Sequence, residues 1–163
     1  MTRLSTAKKR TLTRIQKRTE RVLSTRSHPV RSPFFRFDAS IRIGGAGKYH
    51  ESIFLATGLS ASRSHLVGDR VSPRSLAVRK EDLWSLASPL EGSRPIDEHI
   101  NWLLDVVSPH QAFFAQVVEE AAWADLCLGC LSDIPYPLIV TDVSATKLIK
   151  MLNLTLTFNF TCR

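Results

Sequence analysis

The sequence predicts a single small α+β domain over residues 34–163. It is expected to be a mostly antiparallel sheet of four or five strands with helices packed on one face, in a ferredoxin-like, split βαβ arrangement. Three observations carry that expectation. Residues 34–43 alternate strictly, with Phe35, Phe37, Ala39, Ile41 and Ile43 on one side and Phe34, Arg36, Asp38, Ser40 and Arg42 on the other, the pattern of a half-buried strand. Residues 154–162 repeat it, with Leu154, Leu156, Phe158, Phe160 and Cys162 against Thr155, Thr157, Asn159 and Thr161. Between them Ile96, Ile100, Leu103, Leu104 and Val107 fall on one face of a helix that Pro95 opens. Two strands that each keep one polar side imply a sheet covered on one face only.

The remaining elements follow in order. Gly44, Gly45 and Gly47 break the first strand, and a short helix over about 48–57 follows, with Ile53, Phe54 and Ala56 apolar and Gly58 as its C-terminal cap. The GGAGK turn lacks the full spacing of a phosphate-binding loop and the Ser or Thr that would follow Lys48. Residues 60–82 show no periodicity and are crowded with Ser, Arg, Gly and Pro, which predicts a long loop of the kind that carries function. A strand over 83–88 turns Trp84 and Leu86 the same way. Pro109 ends the helix at 107 and suits the start of another, and Ser108 with Gln111 has the form of a capping box. That second helix, to about Ala121, is expected to bury Phe113, Phe114, Val117 and Val118. A strand over 123–131, a turn over 133–137, an apolar stretch over 138–140 and a helix over 144–152 lead into the last strand.

Charge separates the chain into two parts. Residues 1–33 hold ten Lys or Arg against the single acid Glu20, a charge of +9, so a chain whose total is +7 keeps −2 on the rest. A basic extension in front of a mildly acidic domain has four readings. It is a solvated, disordered segment; a start assigned too early, the true one lying nearer Val22 or Val30; a mitochondrial targeting sequence, rich in Arg, Ser and Thr; or a nucleic-acid arm in which Lys8, Lys9, Arg10, Arg14, Lys17, Arg18 and Arg21 make phosphate contacts. No run of about 18 apolar residues exists to span a membrane. The absence of a secretory signal predicts a cytoplasmic, reducing location, where three cysteines form no disulfide framework.

The order of motifs resembles a known family. FRFDASIRIGG at residues 35–45, ATGLSASRSH at 56–65, VGDR, SPRS and KEDLWSLAS, then the PIDEHINWLLDVVSP helix, the CLGC strand and the final helix and strand are similar to small bacterial proteins described as domain of unknown function 4279. The most recurrent part of that pattern is met here by Gly58, Leu59, Ser62, Arg63, Ser64, His65, Gly68, Asp69, Lys80, Trp84, Ser85 and Leu86. The family's Gly-rich, Ser-rich turn after the third strand is replaced here by residues 133–137. The resemblance covers about residues 35–162. It implies a fold and a bacterial origin, and no activity.

The candidate ligand or partner loop is made of Arg63, His65, Asp69, Arg79, Lys80 and Trp84. A His near an Asp can act as a base or bind an anion beside arginines; against that, Asp69 and the arginines can simply be solvated ion pairs. Trp84 offers a stacking platform, or is core at strand spacing. Cys127 and Cys130 form a CxxC inside an apolar strand, where residues three apart point to opposite faces and so cannot share a metal or a disulfide. No cofactor or metal is expected, since no further ligands stand at finger spacing. Asn153 and Asn159 match the glycosylation pattern but adjoin a strand of a chain without a secretion signal. Asp97, Glu98, Glu119 and Glu120 suit helix ends. Nothing forms a nucleophile, base and orienter set. The sequence therefore predicts a non-enzymatic binding or interaction protein, accessory or immunity-like, that meets an unknown protein partner through its sheet edge or the loop from Ser60 to Asp82. A small-ligand or anion-binding protein, or a small enzyme using Arg63, His65, Asp69 and Lys80, is the alternative.

Overall fold

The computed structural model describes residues 34–134 and 138–163. The basic segment with Lys8, Lys9, Arg10, Arg14, Lys17, Arg18 and Arg21, and the centre of the turn after residue 134, lie outside the described residues. The chain runs β1 (Phe35–Gly44), α1 (His50–Thr57), β2 (Arg63–His65), β3 (Leu83–Ala87), α2 (Ile96–Val107), α3 (Gln111–Glu120), β4 (Trp123–Ser132), α4 (Val143–Leu152) and β5 (Thr155–Cys162). The fold is α+β, as expected. The strands lie in the order β2-β3-β1-β4-β5. The first four are antiparallel to their neighbours, and β5 runs parallel to β4. The order β2-β3-β1-β4 is compatible with a split βαβ arrangement, and the crossover through α4 adds a fifth strand to it.

Among the described residues helices cover one face only. Ile41 and Ile43 of β1, Trp84 and Leu86 of β3, and Leu126 and Leu128 of β4 bury against Ile53 of α1, Ile100, Leu103 and Val107 of α2, Phe114 and Val117 of α3, and Leu148 and Leu152 of α4. The 3.6-residue stripe of α2 is buried as its spacing implies. Gly58 closes α1 in the left-handed region at φ 71°, its N–H donating to the carbonyl of Phe54 at 2.8 Å. Asp142 caps α4, accepting from the Ser144 N–H at 2.8 Å, and the bond from the Ser144 hydroxyl, together with this one, holds its carboxyl below the ordinary range. Among the described residues no helix is long and apolar enough to cross a membrane.

Three expectations need correction. The capping box at Ser108 does not form. Residues 108–110 make a 3₁₀ turn around Pro109, and the Ser108 hydroxyl donates back to the Leu104 carbonyl at 2.6 Å, ending α2 rather than starting α3. The loop over 60–82 is not structureless. It contains β2, and its excursion is laddered by Arg79 N–H to Asp69 O at 2.8 Å and Val71 N–H to Ala77 O at 3.0 Å. The last strand is not half-buried throughout: Leu154 is buried, but Leu156, Phe158 and Phe160 are 43%, 48% and 52% exposed. Alternation fixes which way a side chain points, and no described helix reaches far enough to cover these three.

His99 of α2 is 1% exposed, and among the described residues neither ring nitrogen has a hydrogen-bond partner. Burial pushes its pKa below the ordinary histidine value, against smaller upward pulls from Asp38, from the backbone carbonyls of Glu91 and Arg94, which lie near the ring but outside good hydrogen-bond geometry, and from Glu98. The ring is thus harder to protonate in the fold than in the unfolded chain. Stability is complete above the unfolded pKa of about 6.5 and declines as pH falls from there towards the lower folded value. His99→Leu is expected to flatten that decline and to raise stability at neutral pH, because two partnerless polar atoms leave the core. Urea melts across about pH 5 to 7 measure both effects, and an unchanged slope would move the titration to another group.

Candidate functional site

The same alternation that buries one face of the sheet leaves the other polar. In register across the strands lie Arg63 and His65 of β2, Leu83 and Ser85 of β3, Ser40 and Arg42 of β1, Asp125 and Cys127 of β4, and Thr155 and Thr157 of β5. With Asp38, Glu81, Asp82, Trp123 and Asn159 many of these line an open basin of about 430 Å³. Its floor is close-packed, Ser40 and Ser85 being buried. Its wall on the β2 side carries cationic residues.

Arg42 and Asp125 hold the centre. They are register partners on β1 and β4, and the guanidinium donates from Nε to Oδ1 at 2.9 Å and from Nη2 to Oδ2 at 2.5 Å. Thr157 adds a third donor to Oδ2 at 2.7 Å. The Asp125 side chain is 6% exposed and that of Arg42 32%, so a sunken carboxylate is satisfied by a forked cation that keeps one side in water. The hydrogen bond to Asp125 raises the guanidinium pKa further above its ordinary value, against desolvation.

Trp123 stands at the rim, 36% exposed. Its indole Nε1 donates to Glu81 Oε1 at 2.6 Å, and the Arg42 guanidinium lies 5.8 Å from the ring centroid. The ring packs over Gly44, where any side chain would collide with it. Asp82 is occupied by the backbone: it accepts from Gly47 N at 3.1 Å and Val67 N at 2.6 Å, tying the β2 loop to the turn after β1. The Gly47 N–H of the glycine turn is thereby taken.

Of the residues singled out in the sequence, Arg63 and His65 face the basin, and among the described residues their side chains meet no hydrogen-bond or ion-pair partner. Asp69 belongs to the turn beneath them, its Oδ2 accepting from Leu66 N at 2.7 Å. Arg79 is a backbone rung of the excursion, bonded to Gly68 and Asp69, and Lys80 is solvent-exposed. Trp84 does not join them. It is 2% exposed on the helix side of β3, with its ring 5.8 Å from that of Phe114, so a stacking platform is ruled out by its direction along the strand.

Cys127 and Cys130 lie on opposite faces, Cys127 in register with Ser40 above the basin floor and Cys130 with Phe37 on the helix side. Both are buried free thiols, and burial pushes each pKa up, Arg42 opposing this at Cys127. Among the described residues no group of three or more His, Cys, Asp or Glu is set to hold a metal ion. Sequence reasoning missed Arg42, Asp125 and Trp123. A signal existed: Asp125 is a lone acid in the apolar run from Trp123 to Leu131, and such a residue needs a buried partner.

No curated protein and no solved structure matches the chain. The order of motifs has a counterpart, and the match spans β1 to β5. The model of the family described as Domain of unknown function (DUF4279) matches residues 35–162, and the chain belongs to that family.

Proposed function

We propose that the domain is a non-enzymatic binding module that receives a protein partner on the open face of its sheet. The observation that supports this most is the pairing pattern on that face. Asp125 is committed to Arg42, Glu81 to Trp123 and Asp82 to two backbone amides, while Arg63 and His65 point into the basin with no partner among the described residues. An exposed, pre-oriented Trp with one arginine against its ring and a second on the opposite wall of the basin has the composition of an interface hot spot. Catalysis is disfavoured by the same geometry. His65 has no carboxylate hydrogen-bonded to it among the described residues, Asp69 serves the backbone, and burial keeps the Cys127 thiol protonated.

The test uses the full chain as bait on a lysate of its source cells, beside Arg63→Glu and His65→Ala. A partner held by the unaltered chain is expected to weaken about tenfold or more in Arg63→Glu, with the melting temperature unchanged. Retention by both variants would sink the assignment of this face. A small anionic ligand is the second reading, favoured by a cavity size within the range of small-molecule sites, about 300–1,000 Å³. Native mass spectrometry of the gently purified full chain separates the two, since a bound small molecule adds its mass without any second chain.

A further inference from the structure

We propose that two copies of this chain join edge to edge through β5, antiparallel, into one continuous sheet. The two edges of the sheet differ. The β2 edge is three residues long and carries Arg63 and His65, a short and charged edge of the kind that resists pairing. The β5 edge is eight residues long, Thr155–Cys162, with no charge, no proline and no glycine.

Among the described residues its outer backbone groups have no partner where its side chains are uncovered. The Arg163 N–H donates to Ser132 O on β4 at 3.0 Å, and the Thr155 hydroxyl reaches Ala124 O at 3.1 Å. Backbone groups of successive strand residues point to opposite edges, so the odd-numbered residues face β4. Leu156, Phe158 and Phe160 therefore turn their N–H and C=O outward. They are the same residues whose side chains stand half-exposed on the helix side. The Phe158 and Phe160 rings already stack, with centroids 5.8 Å apart and planes 4° from parallel.

What selects a second copy is the pattern itself. Residues directly opposite each other in an antiparallel pair point to the same side. With Phe158 opposite its own copy, Leu156 meets Phe160, Thr157 meets Asn159 and Thr155 meets Thr161. Apolar residues then meet only apolar ones on one face, and polar residues only polar ones on the other. A slip of one residue would set every apolar side chain against a polar one. The strand is thus complementary to itself wherever even-numbered residues face even-numbered ones, the register centred on Phe158 pairs Leu156, Phe158 and Phe160 wholly among themselves, and the strand has no charge to oppose the approach. The joined sheet keeps both copies' helices on one side and both basins open on the other, so the pairing does not compete with a partner on the open face.

Sedimentation of the full chain is expected to give the mass of two copies. Phe158→Lys and Phe158→Glu each place like charges opposite one another at the two-fold axis, and each is expected to weaken the dimer about a hundredfold or more. An equimolar mixture of the two is expected to recover it, because unlike charges then face each other. Circular dichroism checks that each variant is folded. Hydrogen exchange supplies the readout that needs no variant: the amides of Leu156, Phe158 and Phe160 are protected in concentrated solution and exchange on dilution. A full chain that sediments as a monomer, a Phe158→Lys dimer of unchanged strength, or fast exchange of these amides at every concentration overturns the proposal.

Discussion

Arg42→Met is expected to destabilise the fold by about 3–5 kcal/mol, because it strands Asp125 as an uncompensated buried charge. The reverse change is milder. In Asp125→Asn the guanidinium, with a third of its side chain already in water, swings outward and stays solvated, at a cost of about 1–2 kcal/mol for the lost hydrogen bonds. The order of the two, rather than either value, is the diagnostic, and urea denaturation at neutral pH reads both. Equal costs, or the opposite order, would mean that Asp125 is better hydrated than its 6% exposure implies.

The double variant Arg42→Met with Asp125→Leu sharpens the point. Removing both charges takes away the desolvation penalty together with the attraction, so the pair is expected to be more stable than Arg42→Met alone and its effects strongly non-additive. Thr157 is then left with one acceptor fewer, which limits the recovery. The consequence for function is local. Arg42 lies against the Trp123 ring, so losing the ion pair also loosens the aromatic side chain at the rim of the basin.

The parts of the fold legible in the sequence are those where one physical demand acts alone. β1 must hide every second residue, and α2 every third or fourth, so periodicity located both. β2 escaped because three polar residues, Arg63 to His65, are too short for any period to show and are held by pairing with β3 rather than by burial. β5 was placed correctly, but its exposure was not, since alternation records a preference for a covered face and cannot say what covers it. At the candidate site, Arg63 and His65 stand out by charge type in a long loop, and both line the basin. Asp125 and Trp123 sit in what reads as an ordinary apolar strand, and their importance arises from strand order, which brings β4 beside β1 and so beside Arg42. That neighbour relation is a long-range fact that local pattern does not hold.

The two tryptophans on opposite faces of the sheet are expected to fail in opposite ways. Trp84→Ala empties a site that is 2% exposed and packed on Phe114, and is expected to cost about 3–5 kcal/mol of stability. Trp123→Ala removes a ring that is 36% exposed, its contact over Gly44 and its hydrogen bond to Glu81, costing about 2 kcal/mol. In partner affinity the order inverts. A rigid aromatic at an interface centre carries about 2 kcal/mol or more, close to thirtyfold in the dissociation constant, whereas Trp84 never reaches the open face, so the folded fraction of Trp84→Ala binds as the unaltered chain does. Thermal melts and the partner's dissociation constant, taken on the same preparations, give four numbers. If Trp123→Ala leaves affinity intact while Arg63→Glu lowers it, the contact lies at the β2 wall of the basin and not at its β4 rim. If neither variant changes it, the partner sits off this face, and the exposed residues Leu66 to Val78 of the loop become the surface to test.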